Sequence, residues 1–200
     1  MRTTYHNFRL LLLLIVPVLL TSCGYEYNGT LYDPPLEAAE VVGTNWDGSE
    51  FQLRDLEGKV ALVFFGYTAC PDICPFSLAT MTQVYAMLGE KAEDVAVVFI
   101  SVDPNRDTPE QLANYVPAFN EAFYGIYIPE PELTQTKADY FVYAEANYPD
   151  DDESSLDYLV DHTGWIYVID RKGQLRMVFG HDTPADQITP DVEHLLKARR

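Results

Sequence analysis

Two cysteines and their neighbours carry the most specific chemistry in this chain. They stand in GYTACPDICPFS, residues 66–77, as Cys70 and Cys74, with three residues between them and a proline directly after each. A thiol pair so spaced has three uses: a redox couple, a clamp for a soft metal ion, or a structural disulfide. Proline disfavours helical angles in the residue before it, which predicts extended or turn backbone for both cysteines. Pro75 then suits the first position of a helix, with Cys74 at or near its N-cap. The partial positive charge of a helix N-terminus favours thiolate over thiol. Thiolate is both the nucleophile and the soft ligand, so redox chemistry and metal binding both stay open. The flanking prolines and the helix start weigh against a plain structural disulfide.

Spacing and ligand count narrow the choice. Thioredoxin-type oxidoreductases place two residues between their cysteines; here Pro71, Asp72 and Ile73 intervene. The longer loop still permits a disulfide and gives both sulfurs more room to hold one ion. Two thiolates suit copper(I) or zinc. Zinc prefers four ligands, so a two-sulfur site is incomplete and a third ligand is expected elsewhere. Of the four histidines, His6 lies in the N-terminal leader, His181 follows a hairpin and His194 falls on the terminal helix. His162, in VDHTGWIYVID, stands just before the hairpin's first strand. In thioredoxin-like proteins that position usually carries a cis-proline packed against the active-site cysteines, so His162 is expected to point at Cys70 and Cys74.

The leader sets the compartment. Arg2 and Arg9 precede an apolar run over residues 10–20, and no acid occurs before it. Eleven residues fall short of the about 20 that a spanning helix needs, so residues 1–22 read as an export signal. LTSC, residues 20–23, resembles the bacterial lipobox, in which the cysteine is acylated and becomes the new N-terminus. Cys23 is therefore the expected lipid attachment. The protein would then be exported and anchored on the outer face of the cytoplasmic membrane. In an exported protein unpaired thiols tend to be oxidised, and with Cys23 acylated only Cys70 and Cys74 remain.

The elements that must position these residues follow from pattern. Residues 23–40, with Pro34-Pro35 and no sustained periodicity, read as the lipidated N-terminus and a tether; 41–200 read as one domain. EFQLRDLEGK, 50–59, alternates and closes on a glycine turn, as a short strand does. VALVFFGY, 60–67, and VAVVFISVD, 95–103, are continuous apolar runs and predict buried central strands. Met81, Val84, Tyr85 and Leu88 recur at helical spacing and predict a helix over 75–89. Thr108 predicts an N-cap, with Pro109 at the first helical position and Gln111 closing a capping box. A short strand is expected over 124–128 and a helix over 134–146. The acidic stretch 150–157 reads as loop. Residues 164–180 predict a hairpin turning at Asp170–Gly173, and a last helix spans 185–198 with Leu195 and Leu196 inward. This order predicts an α/β fold of thioredoxin-like (peroxiredoxin-like) type, a central mixed sheet flanked by helices. With 31 acidic against 13 basic residues and a net charge of -18, the chain lacks the basic surface that nucleic-acid binding requires.

FFGYTACPDICP, ISVDPNRDTPEQL and YLVDHTGWIYVID together resemble the three signature blocks of the Sco/SenC copper-binding proteins. The resemblance runs over residues 29–197. It implies a membrane-anchored, thioredoxin-fold protein that assists assembly of the dinuclear copper site of cytochrome c oxidase subunit II, or of a related copper enzyme. It implies Cys70, Cys74 and His162 as ligands of one copper ion, Cu(I) or Cu(II), per domain. Asp103 and Pro104 match a motif flanking that site, where a structural turn is the expected role. A copper chaperone and a thiol-disulfide oxidoreductase acting on the target's cysteines both fit. A peroxidase on the same fold fits less well, because no basic residue lies within the cysteine block.

Overall fold

The computed structural model describes residues 25–148 and 157–197. The leader, Cys23 and all of the acidic stretch 150–157 except Asp157 lie outside them. Among the described residues, no helix is long and apolar enough to cross a membrane.

Two fully buried strands form the centre. β1 (Thr30–Glu37), β2 (Val42–Asn45) and β3 (Glu50–Gln52) lead to β4 (Val60–Gly66), which is joined through α1 (Ile73–Leu88) to β5 (Val95–Ser101). β4 and β5 pair in parallel from Val60 opposite Val95 to Gly66 opposite Ser101, and every residue of both is buried. That burial is why both read as unbroken apolar runs: with both faces covered, no position is left for a solvent-facing side chain. α2 (Pro109–Tyr115) and β6 (Tyr124–Tyr127) follow, then α3 (Glu132–Asp139), β7 (Ala144–Asn147), β8 (Leu159–His162), β9 (Trp165–Ile169), β10 (Gln174–Gly180) and α4 (Ala185–Lys197). The main sheet runs β1-β10-β9-β4-β5-β6-β2-β3, with β9 antiparallel to β4 and β6 parallel to β5. Among the described residues, β7 and β8 pair only with each other, as a separate ribbon. The fold is α/β and its sheet is mixed.

Several expectations are met in detail. The Thr108 hydroxyl accepts from the Gln111 amide at 3.3 Å, with Pro109 in the first turn of α2. The β9–β10 turn closes through Gly173 N–H to Asp170 O, 2.9 Å, and Gly173 takes the positive φ of 76° that the turn demands. In α4 Leu195 is buried and Leu196 is half-buried against the core.

Four expectations change. The supposed tether contains a strand: Thr30–Glu37 pairs with β10 at the sheet's edge. Pro34 and Pro35 are tolerated because the pairing is interrupted between Leu31 and Leu36, at the sheet's rim. Residues 134–146 are not one helix: α3 ends at Asp139, Phe141 turns the chain at φ 55°, and β7 follows. The alternation of buried Val142 and exposed Tyr143 and Glu145 is the period-two signal of that strand. The strand expected over 50–59 stops at Gln52, where a 3-10 turn over Leu53–Leu56 takes over. Lastly, the N-cap position of α1 falls at Asp72, without a side-chain cap bond, so Cys74 is near the cap as expected but in helical rather than extended backbone, and Pro75 is the third helical residue rather than the first. The missing N–H of Pro75 breaks nothing there, since first-turn amides have no helical partner.

The ordered N-terminal segment is held by one buried carboxylate. Asp191 of α4, fully buried, accepts from Tyr25 Oη (2.8 Å), Asn28 N (2.8 Å), Gly29 N (2.9 Å) and Asn28 Nδ2 (3.2 Å). The His194 ring stacks on Tyr25 with centroids 3.9 Å apart. Asp191→Ala is expected to cost about 1.5–3 kcal/mol, as loss of hydrogen bonds to a charged acceptor does. Urea unfolding measures this, and hydrogen exchange at the Asn28 and Gly29 amides should accelerate with it.

Candidate metal centre

The centre is built where β4 ends. Gly66 is followed by the Tyr67–Asp72 loop and the first turn of α1, which places Cys74 directly over the strand end. A side chain at Gly66 would put its Cβ 2.7 Å from the Cys74 sulfur, so this close approach requires glycine. Cys74 is fully buried, Cys70 is 9% exposed, and both are free thiols. The third group comes from the ribbon. His162 closes β8, and its Nε2 lies 3.3 Å from Cys74 Sγ. Its Nδ1 lies 3.0 Å from the Val160 carbonyl. A carbonyl only accepts, so Nδ1 carries the proton and the Nε2 lone pair faces the sulfurs. The two sulfurs and Nε2 all lie within 4.8 Å of one another. Soft thiolates with a neutral imidazole form a donor set that fits a copper or zinc ion.

The two thiols are electrostatically unequal. A hydrogen bond from Cys74 draws the Cys70 pKa down to about 5, against the opposing effect of burial; the Asp72 and Cys74 amides and the nearby His162 lower it further. Cys74 is pushed up, first by burial and then by its hydrogen bond to Cys70. One thiolate and one thiol thus face each other, and Cys70, the one nearer the surface, carries the charge.

The SVDPNRDTP block braces both halves of the centre. The Asp103 carbonyl accepts from the Arg106 and Asp107 amides, the turn expected around Pro104. Its buried carboxylate also accepts from Tyr158 Oη and Arg106 Nε, each at 2.6 Å. Arg106 lies 3.6 Å over the Tyr158 ring and donates to the Tyr158 carbonyl. Tyr158 directly precedes β8, so Asp103 and Arg106 pin the strand that carries His162. Tyr67 completes the brace: its hydroxyl accepts from Val160 N at 3.1 Å, and its ring meets His162 edge-on at 5.4 Å. Asp107, fully buried, holds the cysteine loop by accepting from Thr68 N (2.9 Å) and Ser101 Oγ (2.7 Å).

Of the sequence-derived candidates, Cys70, Cys74 and His162 come together. His194 packs on Tyr25, and His181 lies against Gly164. Tyr67, Arg106, Asp107 and Tyr158 escaped the sequence reading. All four sit inside the signature blocks, but their partners lie in other blocks; Tyr158 is 55 residues from Asp103.

Thiolate is the reactive form, so alkylation of the reduced, metal-free protein should follow the two ionisations. Cys70 should reach its full rate above about pH 6 rather than near the usual thiol range. Cys74 should stay unreactive at neutral pH. Mass spectrometry of iodoacetamide-treated protein reads both; a Cys70 rate still rising between pH 8 and 9 would contradict the assignment.

The SCO1/SenC family profile matches residues 36–197. The SCO2-like protein RT0576 of Rickettsia typhi is 35% identical over 153 residues, spanning 76% of this chain and 73% of that protein. The structure of Bradyrhizobium japonicum ScoI with copper bound superposes with a TM-score of 0.72 at 34% identity, covering 80% of this chain and 99% of that one. Apo Sco1 from Thermus thermophilus gives a TM-score of 0.77 at 30% identity, over 87% and 99% of the two chains. Signature blocks, fold and site geometry agree with these matches: the chain belongs to the SCO1/SenC family.

Proposed function

We propose that this protein is a copper chaperone that binds one copper ion through Cys70, Cys74 and His162 and delivers it to the dinuclear copper site of cytochrome c oxidase subunit II. The observation that carries the reading is the convergence of two sulfurs and a bare imidazole nitrogen within 4.8 Å. A reductase needs only the sulfurs. It has no use for a histidine whose tautomer is fixed by a backbone carbonyl and whose free nitrogen faces a cysteine. The sulfurs suit copper(I), and the imidazole adds the harder donor that copper(II) requires. The oxidase as receiver follows from the family. Anchoring through lipid on Cys23, on the outer face of the cytoplasmic membrane, follows from the leader.

A second reading has its own support in the low pKa of Cys70. Its thiolate can attack a disulfide of the target and form a mixed disulfide. Cys74, once deprotonated, displaces the target thiolate and closes a Cys70–Cys74 disulfide. Two electrons pass to the target, whose cysteines leave reduced.

His162→Ala separates the two. Copper(II) binding should fall far more than copper(I) binding, while disulfide exchange with a small dithiol changes little. Oxidase assembly in cells carrying only this variant then decides. Failed assembly with normal thiol exchange supports delivery; normal assembly without copper(II) binding supports reduction.

A further inference from the structure

The β7–β8 ribbon that supplies His162 has two faces of opposite character. Val142, Val160 and the His162 ring turn inward. Tyr143, Glu145, Asn147, Leu159 and Asp161 are all exposed on the outer face, Tyr143 at 56% and Leu159 at 52%. Two large apolar side chains thus stand in water beside a depression of about 390 Å³ that opens on Cys70 and His162; Tyr143, Leu159 and Asp161 also line it. The register sets Glu145 directly opposite Asp161. Like charges at directly opposed positions destabilise a ribbon. Their hydrogen bonds come from neutral groups, Tyr143 Oη to Glu145 and Asn147 Nδ2 to Asp161 at 2.7 Å. Neither carboxylate has a cationic side chain within ion-pair distance among the described residues. Asp72 adds a further acid at the edge of the same depression.

We propose that the outer face of this ribbon is the docking surface for the copper-receiving protein, and that the receiver presents Lys or Arg side chains beside an apolar contact. The cations would seat against Glu145 and Asp161 and remove the repulsion between them, while Tyr143 and Leu159 lose their exposed apolar area. Because β8 ends at His162, the contact lies beside the ligands, and docking brings the receiver's thiols to the mouth of the site. A second copy of this chain is a poor occupant, since it would set four carboxylates face to face. An anionic bilayer surface is repelled for the same reason. The inference rests on the delivery reading for the identity of the partner.

The test is association of the reduced full-length protein, in non-ionic detergent, with the reduced soluble copper-site domain of the same organism's cytochrome c oxidase subunit II. Glu145→Lys is the informative variant, because its two effects have opposite sign. It places a cation opposite Asp161, so the urea midpoint should rise or hold. It opposes the partner's cations, so association should slow by roughly tenfold at low salt, and the wild-type advantage should vanish at high salt. Leu159→Ser should raise the dissociation rate, and both variants should keep wild-type copper(I) affinity in competition with a chelator. Salt-independent association, or equal rates for wild type and Glu145→Lys, overturns the surface and leaves the delivery reading standing. No association at all, with copper binding intact, overturns both. A concentration-dependent dimer that Glu145→Lys abolishes also overturns the proposal, since the face would then serve self-association.

Discussion

The site depends on one long-range contact, the 3.3 Å approach of His162 Nε2 to Cys74 Sγ between residues 88 apart in sequence. Neither side makes it alone. Cys74 is fixed by the main sheet and α1, whereas His162 belongs to a ribbon that the main sheet does not pair with. A two-stranded ribbon is marginal by itself in water. Its placement therefore relies on side chains: Tyr158 on Asp103 and Arg106, and Val160 on Tyr67. Asp103, Tyr158, Val160 and Tyr67 are buried and Arg106 is half-buried, and their hydrogen bonds tie the ribbon to one seat.

In that arrangement the two sulfurs that would hold the metal are also the two that could form a disulfide. In the reduced pair the Cys70 thiol is the one whose pKa is drawn down, beside the His162 ring. Forming a disulfide would remove both thiolate donors at once and leave a lone histidine, which is a poor site for a soft ion. Redox state thus sets ligand number. The lower pKa belongs to Cys70, the sulfur nearer the surface, and Cys74 is the deeper of the two. The acidic, partly apolar outer face of the ribbon borders the same depression as Cys70.

Much of this was legible in the sequence, for identifiable reasons. β4 and β5 announce themselves because strands covered on both faces leave no polar positions. The cysteine pair and His162 were found because residue type, spacing and element order all point to one end of the sheet. Legibility failed where tertiary context overrides a local signal. Pro34 and Pro35 read as a breaker, yet an edge strand with interrupted pairing accommodates them. Proline after Cys74 argued against helix, yet the first turn has no hydrogen bond to lose. α3 and β7 merged because a single left-handed residue, Phe141, divides them. The brace of Asp103, Arg106 and Tyr158 was hidden because its parts come from separate blocks, and no local pattern marks a carboxylate whose partner is 55 residues away.

The central claim is that two thiolates and one imidazole form a single copper site that exists only in the reduced protein. Anaerobic titration of the reduced protein with copper(I), against a competing chelator, measures it directly. The account predicts one equivalent bound, loss of that binding when the Cys70–Cys74 disulfide is formed, and recovery on reduction. Equal copper loading by the oxidised protein, or by a Cys70→Ser, Cys74→Ser variant, would contradict it.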